Sequence, residues 1–286
     1  MSDPWIPAPA SGPTPPDGVL PAWTYAPPQE PSPETEPPAS QPPASFWRRV
    51  VGPPQGRWGL GAALLCLGPM FALTILNLWF VATHPGSSNV DLADQGVIVA
   101  WVVVISVALP WIWLAGVPLV ASWVKGPGWR RSYGWVTRWS SLWWGLGGGI
   151  ATFIVIVVAI AASTLVTGKD ISSSAGDLAL GIEGYPAAFF VFLLLIAFGA
   201  PFVEELAFRG LLWGAMVKRG WSPWTATVVA GVLFGAFHGE PSRLFALALG
   251  GIVLGFVRQQ GGLSASMGAH AVVNIIGAVQ LWQAAH

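Results

Sequence analysis

The chain has 286 residues, 53% of them hydrophobic and only 9% charged, with a formal net charge of zero. Together with 18 tryptophans and a mean hydropathy of +0.60, this points to a polytopic membrane protein. It excludes a nucleic-acid role, for which no basic tract exists, and the single cysteine, Cys66, excludes an internal disulfide.

Residues 1–45 hold 15 of the 26 prolines and five acids, with no Lys or Arg. Such a stretch lacks the apolar density to offset the entropy of ordering, and it reads as a disordered cytoplasmic tail with polyproline II character. It suits either docking of a tail-binding partner or no specific ligand at all. It lacks the basic start and apolar run of a cleavable signal, so the first span is expected to act as a signal anchor.

A bilayer core requires about 20 apolar residues of helix. In chain order the candidates are Gly59–Ala82, Gly96–Trp123, Leu142–Thr167 and Pro186–Leu206, then the shorter Pro223–His238, Arg243–Val257 and Ser264–Trp282. The expected fold class is therefore all-α polytopic, with about seven to eight transmembrane helices. Residues 46–180 are expected to form a transmembrane scaffold and residues 181–286 a second transmembrane core that carries the polar motifs. With the amino terminus inside, ten basic residues fall in the cytoplasm (Arg48, Arg49, Arg57, Lys125, Arg130, Arg131, Arg138, Lys218, Arg219, Arg258). Only Lys169 and Arg243 fall outside, which sets the expected orientation. The Gly-rich patch Gly145–Gly149 suits close helix packing, and tryptophans at span ends suit an interfacial belt.

Ionisable groups at membrane depth are costly and usually functional. Glu204, Glu205 and Arg209 follow a nearly unbroken apolar run from Ala187 to Ala200. Glu205 and Arg209 are spaced i, i+4 and can pair on one face. Glu204 lies about 100° around the helix and is left for another partner. The segment Lys218–Pro223 is a helix stop, turn and restart. Glu204 lies 16 residues before Gly220 and His238 lies 15 after Pro223, so an antiparallel hairpin brings both to the same height, about 23 Å from the turn. A second turn at Gln259–Gly262 precedes His270 and Asn274, again spaced i, i+4. His270 comes level only if the first hairpin protrudes about 10 Å further.

A carboxylate beside an imidazole can deprotonate water, and a second His with an Asn amide can donate to an oxyanion. These are the parts of an amide hydrolase without a covalent nucleophile. The ordered motifs Glu-Glu-x-x-x-Arg, Phe-x-x-x-His and His-x-x-x-Asn resemble the signature of the CAAX protease and bacteriocin-processing family, also called the Abi or CPBP family. The likeness covers about Pro186 to Trp282.

The resemblance implies an intramembrane endopeptidase acting on membrane-associated peptides or proteins, with a site open to the cytoplasm, in the plasma membrane of a bacterium. It assigns Glu204 as water activator with His238 assisting, and His270 with Asn274 as oxyanion donors. Glu205 and Arg209 are supporting, and Phe234 packs near His238. It favours a mechanism without a cofactor. Zinc on Glu204, His238 and His270 is the alternative, although no His-Glu-x-x-His helix is present. A non-catalytic immunity or scaffold protein and a proton-coupled transporter are the rival readings. The latter would carry inverted repeats, and none is seen. His84, His286 and Glu240 receive no role.

Overall fold

The computed structural model describes residues 54–84, 92 and 95–286, so the expected tail of residues 1–45 lies outside the described residues. Nine helices are labelled in chain order: α1 Leu60–Thr83, α2 Val97–Val124, α3 Trp129–Tyr133, α4 Trp139–Thr167, α5 Ser174–Gly181, α6 Pro186–Lys218, α7 Pro223–Phe237, α8 Leu244–Gly261 and α9 Leu263–Ala285. No strand occurs among the described residues. Six helices (α1, α2, α4, α6, α8, α9) are long and apolar enough to cross a membrane, and α7 is a shorter apolar helix. The protein is an all-α, multi-pass integral membrane protein.

Two differences from the sequence reading concern the fourth span and Arg258. The span predicted over Pro186–Leu206 runs on to Lys218, which places the two glutamates inside a long helix. Arg258, counted as a cytoplasmic loop residue, lies in the last turn of α8 and is buried. Its Nε donates to the Arg209 carbonyl at 3.0 Å and its Nη2 to the Tyr133 carbonyl at 3.1 Å, and its guanidinium covers the Trp213 ring. Without it the basic-residue tally is nine (ten less Arg258) against two.

Burial separates the helices by role. Over half of the α8 span window is buried (56%), against 11% for α1, so α8 lies inside the bundle and α1 against lipid. The exposed faces of α1, α2 and α4 carry large apolar side chains such as Leu64, Ile98, Ile112 and Trp143, as expected where lipid is the solvent. Helix α8 packs against α7 and α4, and α9 against α4. Where helices meet, small residues let backbones approach. A Cβ on Gly231 of α7 would meet the Ile252 nitrogen at 2.7 Å and the Gly251 carbonyl carbon at 3.0 Å. The glycine patch of α4 does the same against α9, since a Cβ on Gly149 would meet the Ala269 carbonyl at 2.7 Å.

The two turns at the ends of α6 and α8 differ in depth. Arg219–Ser222 is exposed, whereas Gly261–Leu263 is buried, with the Leu263 N–H donating to the Gly134 carbonyl at 3.0 Å. The α8–α9 turn is therefore recessed beneath the loop that precedes α4. His270 does stand level with Glu204, its Nε2 lying 3.8 Å from Glu204 Oε2.

A side chain at Gly231 has nowhere to go without separating α7 from α8. Gly231→Val is expected to cost about 1–3 kcal/mol, read as a lowered unfolding temperature of the purified protein in detergent.

Candidate active site

Helix α6 is irregular on both sides of the glutamates. Residues Leu195–Gly199 and Leu206–Leu212 are π-helical, flanking the α-helical Ala200–Glu205. Such wide turns are rare and cluster at functional sites. In the first, the Ala200 N–H bonds the Leu195 carbonyl, a five-residue step. The next such bond would need an N–H from Pro201, which has none. The Ile196 carbonyl is thereby left without a backbone donor, and Asn274 of α9 supplies one, its Nδ2 lying 2.9 Å away. In the second, the Arg209 carbonyl accepts from Arg258.

Glu205 is fully buried and saturated with partners. Arg209 Nη1 donates to Oε1 at 2.7 Å, His270 Nδ1 faces Oε1 at 3.1 Å, and the Ser266 hydroxyl donates to Oε2. Arg209 is itself fully buried. Its Nη2 donates to the Gly251 carbonyl at 2.7 Å, and its guanidinium lies 4.4 Å from the Phe234 ring centroid. The pair is compensated through Nη1 and Nη2 of Arg209, whereas its Nε has no hydrogen-bond partner among the described residues. Ser266 escaped the sequence reading, although it precedes His270 by one helical turn and Asn274 by two.

Glu204 is in the opposite condition. It is 8% exposed, and its Oε2 is buried with no hydrogen-bond partner among the described residues. That oxygen lies 4.0 Å from His238 Nε2 and 3.8 Å from His270 Nε2. These separations are too long for direct hydrogen bonds and short enough for one water to bridge.

The far nitrogens of both rings are occupied. His238 Nδ1 lies 2.8 Å from the Phe234 carbonyl, an acceptor, so it carries the proton there. His270 Nδ1 donates in the same way to the Glu205 carboxylate. Each ring therefore turns Nε2 towards Glu204.

Phe234 fixes the setting of both rings. Its own ring lies edge-on to His238 at 4.7 Å and to His270 at 5.6 Å, and also meets Phe208. The structure thus brings Glu204, His238 and His270 together, with Glu205, Arg209 and Phe234 behind them. Asn274 is placed one turn above His270, with an amide N–H engaged on Ile196. Glu240, given no role, pairs with Arg243 at 2.6 Å and accepts from the Ser174 N–H. His84 and His286 contact only their own helix ends. Among the described residues no group of three His, Cys, Asp or Glu side chains is arranged to hold a metal ion.

The two glutamates should respond oppositely to loss of charge. Glu205→Gln leaves the Arg209 charge buried and unpaired and is expected to cost about 3–5 kcal/mol, read by thermal unfolding, whereas Glu204→Gln should leave the unfolding temperature unchanged. Asn274→Ala orphans the Ile196 carbonyl, an expected loss of about 1–3 kcal/mol. An oxyanion donor with no structural duty would show no such loss.

Residues 186–276 match the family model described as Type II CAAX prenyl endopeptidase Rce1-like. No curated protein and no solved structure matches the chain. The matched stretch takes in α6, α7, α8 and most of α9, so this part of the chain is similar to the CAAX protease family.

Proposed function

We propose that the protein is an intramembrane endopeptidase that hydrolyses peptide bonds of membrane-associated peptides or proteins with a water activated by Glu204. The observation that carries this reading is the Glu204 Oε2 atom, buried, without a partner, and faced by two imidazole Nε2 atoms. A buried carboxylate oxygen with no partner is costly to maintain, and a hydrolytic site accounts for it.

In the proposed reaction a water between Glu204 and His238 gives a proton to the Glu204 carboxylate as its oxygen attacks the scissile carbonyl carbon. His238, neutral and protonated on Nδ1, offers its Nε2 lone pair as a second acceptor for that water. The carbonyl becomes a tetrahedral oxyanion. Donation to it from His270 Nε2 requires protons on both ring nitrogens, with Glu205 Oε1 as acceptor at Nδ1. This is the orienting role that a buried acid plays behind a catalytic histidine. When the C–N bond breaks, the proton held by Glu204 passes to the leaving nitrogen, and the acid regains its charge. Asn274 contributes through Ile196, whose segment sets where Glu204 emerges from α6. It also bears a second amide hydrogen suited to the oxyanion.

The basic-residue tally supports a cytoplasmic amino terminus, and the family likeness suggests a site entered from that side in a bacterial plasma membrane. The zinc alternative uses Glu204, His238 and His270 as ligands instead of as base and donors.

Purified protein reconstituted in lipid is expected to cleave membrane-associated peptides, and Glu204→Gln to lower kcat by at least ~100-fold with thermal unfolding unchanged. Comparative proteomics of membranes from cells carrying either form should reveal the substrate as peptides present only with Glu204. Full activity in Glu204→Gln overturns the assignment. Activity that survives exhaustive chelation disposes of the zinc alternative, and loss that zinc restores establishes it.

A further inference from the structure

A second polar feature lies apart from the glutamates, where the first turn of α4 approaches the first turn of α9. A cavity of about 470 Å³ opens there, lined by Trp135, Arg138, Trp139, Ser141, Leu142 and Ser264 among others. The α4 helix is 29 residues long and starts at Trp139 with Arg138 as its N-cap and no side-chain cap. Its first N–H groups, those of Trp139 and Ser140, therefore have no intrahelical acceptor. The α9 helix also starts without a side-chain cap, and its second residue, Ser264, faces the same cavity. The uncapped N-terminus of α4, with the positive end of its dipole, faces this opening, and the start of α9 lies beside it with its Leu263 N–H already engaged on the Gly134 carbonyl.

The decisive feature is Ser141. It is 5% exposed, it lines the cavity, and its hydroxyl oxygen has no hydrogen-bond partner among the described residues. A buried hydroxyl left without a partner calls for a group that completes it, and the cavity beside Ser141 is where such a group can enter. Arg138 is exposed and has no acidic partner among the described residues, so its charge is free to meet an anion. Ser264 is held in place because its own hydroxyl donates to the Val136 carbonyl, which ties the loop before α4 onto α9.

The rim indicates what kind of anion. Trp139 is 80% exposed and Leu142 is 62% exposed, an apolar border suited to glycerol and acyl carbons, and Trp at this level is typical of the membrane–water boundary. Arg130 and Arg131 lie in the preceding short helix α3 and add to the attraction for an anionic leaflet. We propose that this cavity binds the phosphate of an anionic phospholipid headgroup, through the Arg138 guanidinium, the Ser141 hydroxyl and the first N–H groups of α4. The α9 helix that forms its other wall carries Ser266 and His270 two and six residues after Ser264, so an occupied site would brace the helix that supports the proposed hydrolysis. The lipid site stands on its own observations and does not depend on that reaction.

The test uses the full chain, purified and delipidated, with native mass spectrometry against phosphatidylglycerol and phosphatidylcholine. Wild type is expected to retain phosphatidylglycerol preferentially. Arg138→Gln and Ser141→Ala should each weaken that retention roughly tenfold, the size of one charge-assisted hydrogen bond. Neither change should alter thermal unfolding, since one residue is exposed and the other loses an unpartnered hydroxyl. Equal retention of phosphatidylglycerol by wild type and both variants overturns the proposal. Equal protection from unfolding by inorganic phosphate alone overturns the lipid source in favour of a free anion. Should Ser141→Ala leave lipid retention intact while raising KM only for peptides with a free terminal carboxylate, the cavity belongs to a peptide end and the lipid assignment falls.

Discussion

The arrangement around the site depends on the fully buried Glu205 carboxylate. Arg209 neutralises it from one helical turn away, Ser266 fills its second oxygen, and His270 is held by it from across the bundle. Remove that one group and three consequences follow together. Arg209 is left charged in an apolar interior, α6 loses its Ser266 and His270 ties to α9, and His270 loses the acceptor that turns its Nε2 towards Glu204. The neighbouring Glu204 is the reverse case, kept poor in partners. Two chemically identical side chains thus receive opposite environments from a rotation of about 100° on one helix.

Much of this was legible in the sequence because it is set by helical geometry. The i, i+4 spacing pairs Glu205 with Arg209, and the equal distances of Glu204 and His238 from the Lys218–Pro223 turn put them level, as their 4.0 Å separation shows. What was not legible depends on contacts between distant segments. Ser266 reads as one more small residue in an apolar helix until Glu205 is brought against it. Arg258 looks like a loop charge because the sequence shows two glycines after Gln260 and not the Tyr133 and Arg209 carbonyls that bury it. The extension of α6 to Lys218 was obscured because the buried Arg209 looks polar enough to mark an end.

The helices divide the labour. The amino-terminal spans present apolar faces to lipid, and α4 offers α9 a glycine face in place of side chains. The charged groups of the core are confined to the contacts among α6, α7, α8 and α9, where glycine on glycine allows the Gly251 carbonyl to reach Arg209. Close packing and charge burial are therefore the same structural fact, since the backbone approach supplies the acceptors that the buried cations require.

The two π-helical stretches have a consequence for how this helix can change over time. Each wide turn carries one residue more than an α-helical path of the same rise, and one residue corresponds to about 100° of rotation. Losing a single residue between Leu195 and Gly199 would return this stretch to an α-helical path of the same rise, yet it would remove the five-residue step that leaves the Ile196 carbonyl for Asn274. Substitutions along this stretch can be absorbed one by one, whereas insertions and deletions cannot. The number of residues from Leu195 to Pro201 is therefore under a stricter constraint than the identity of the apolar residues among them.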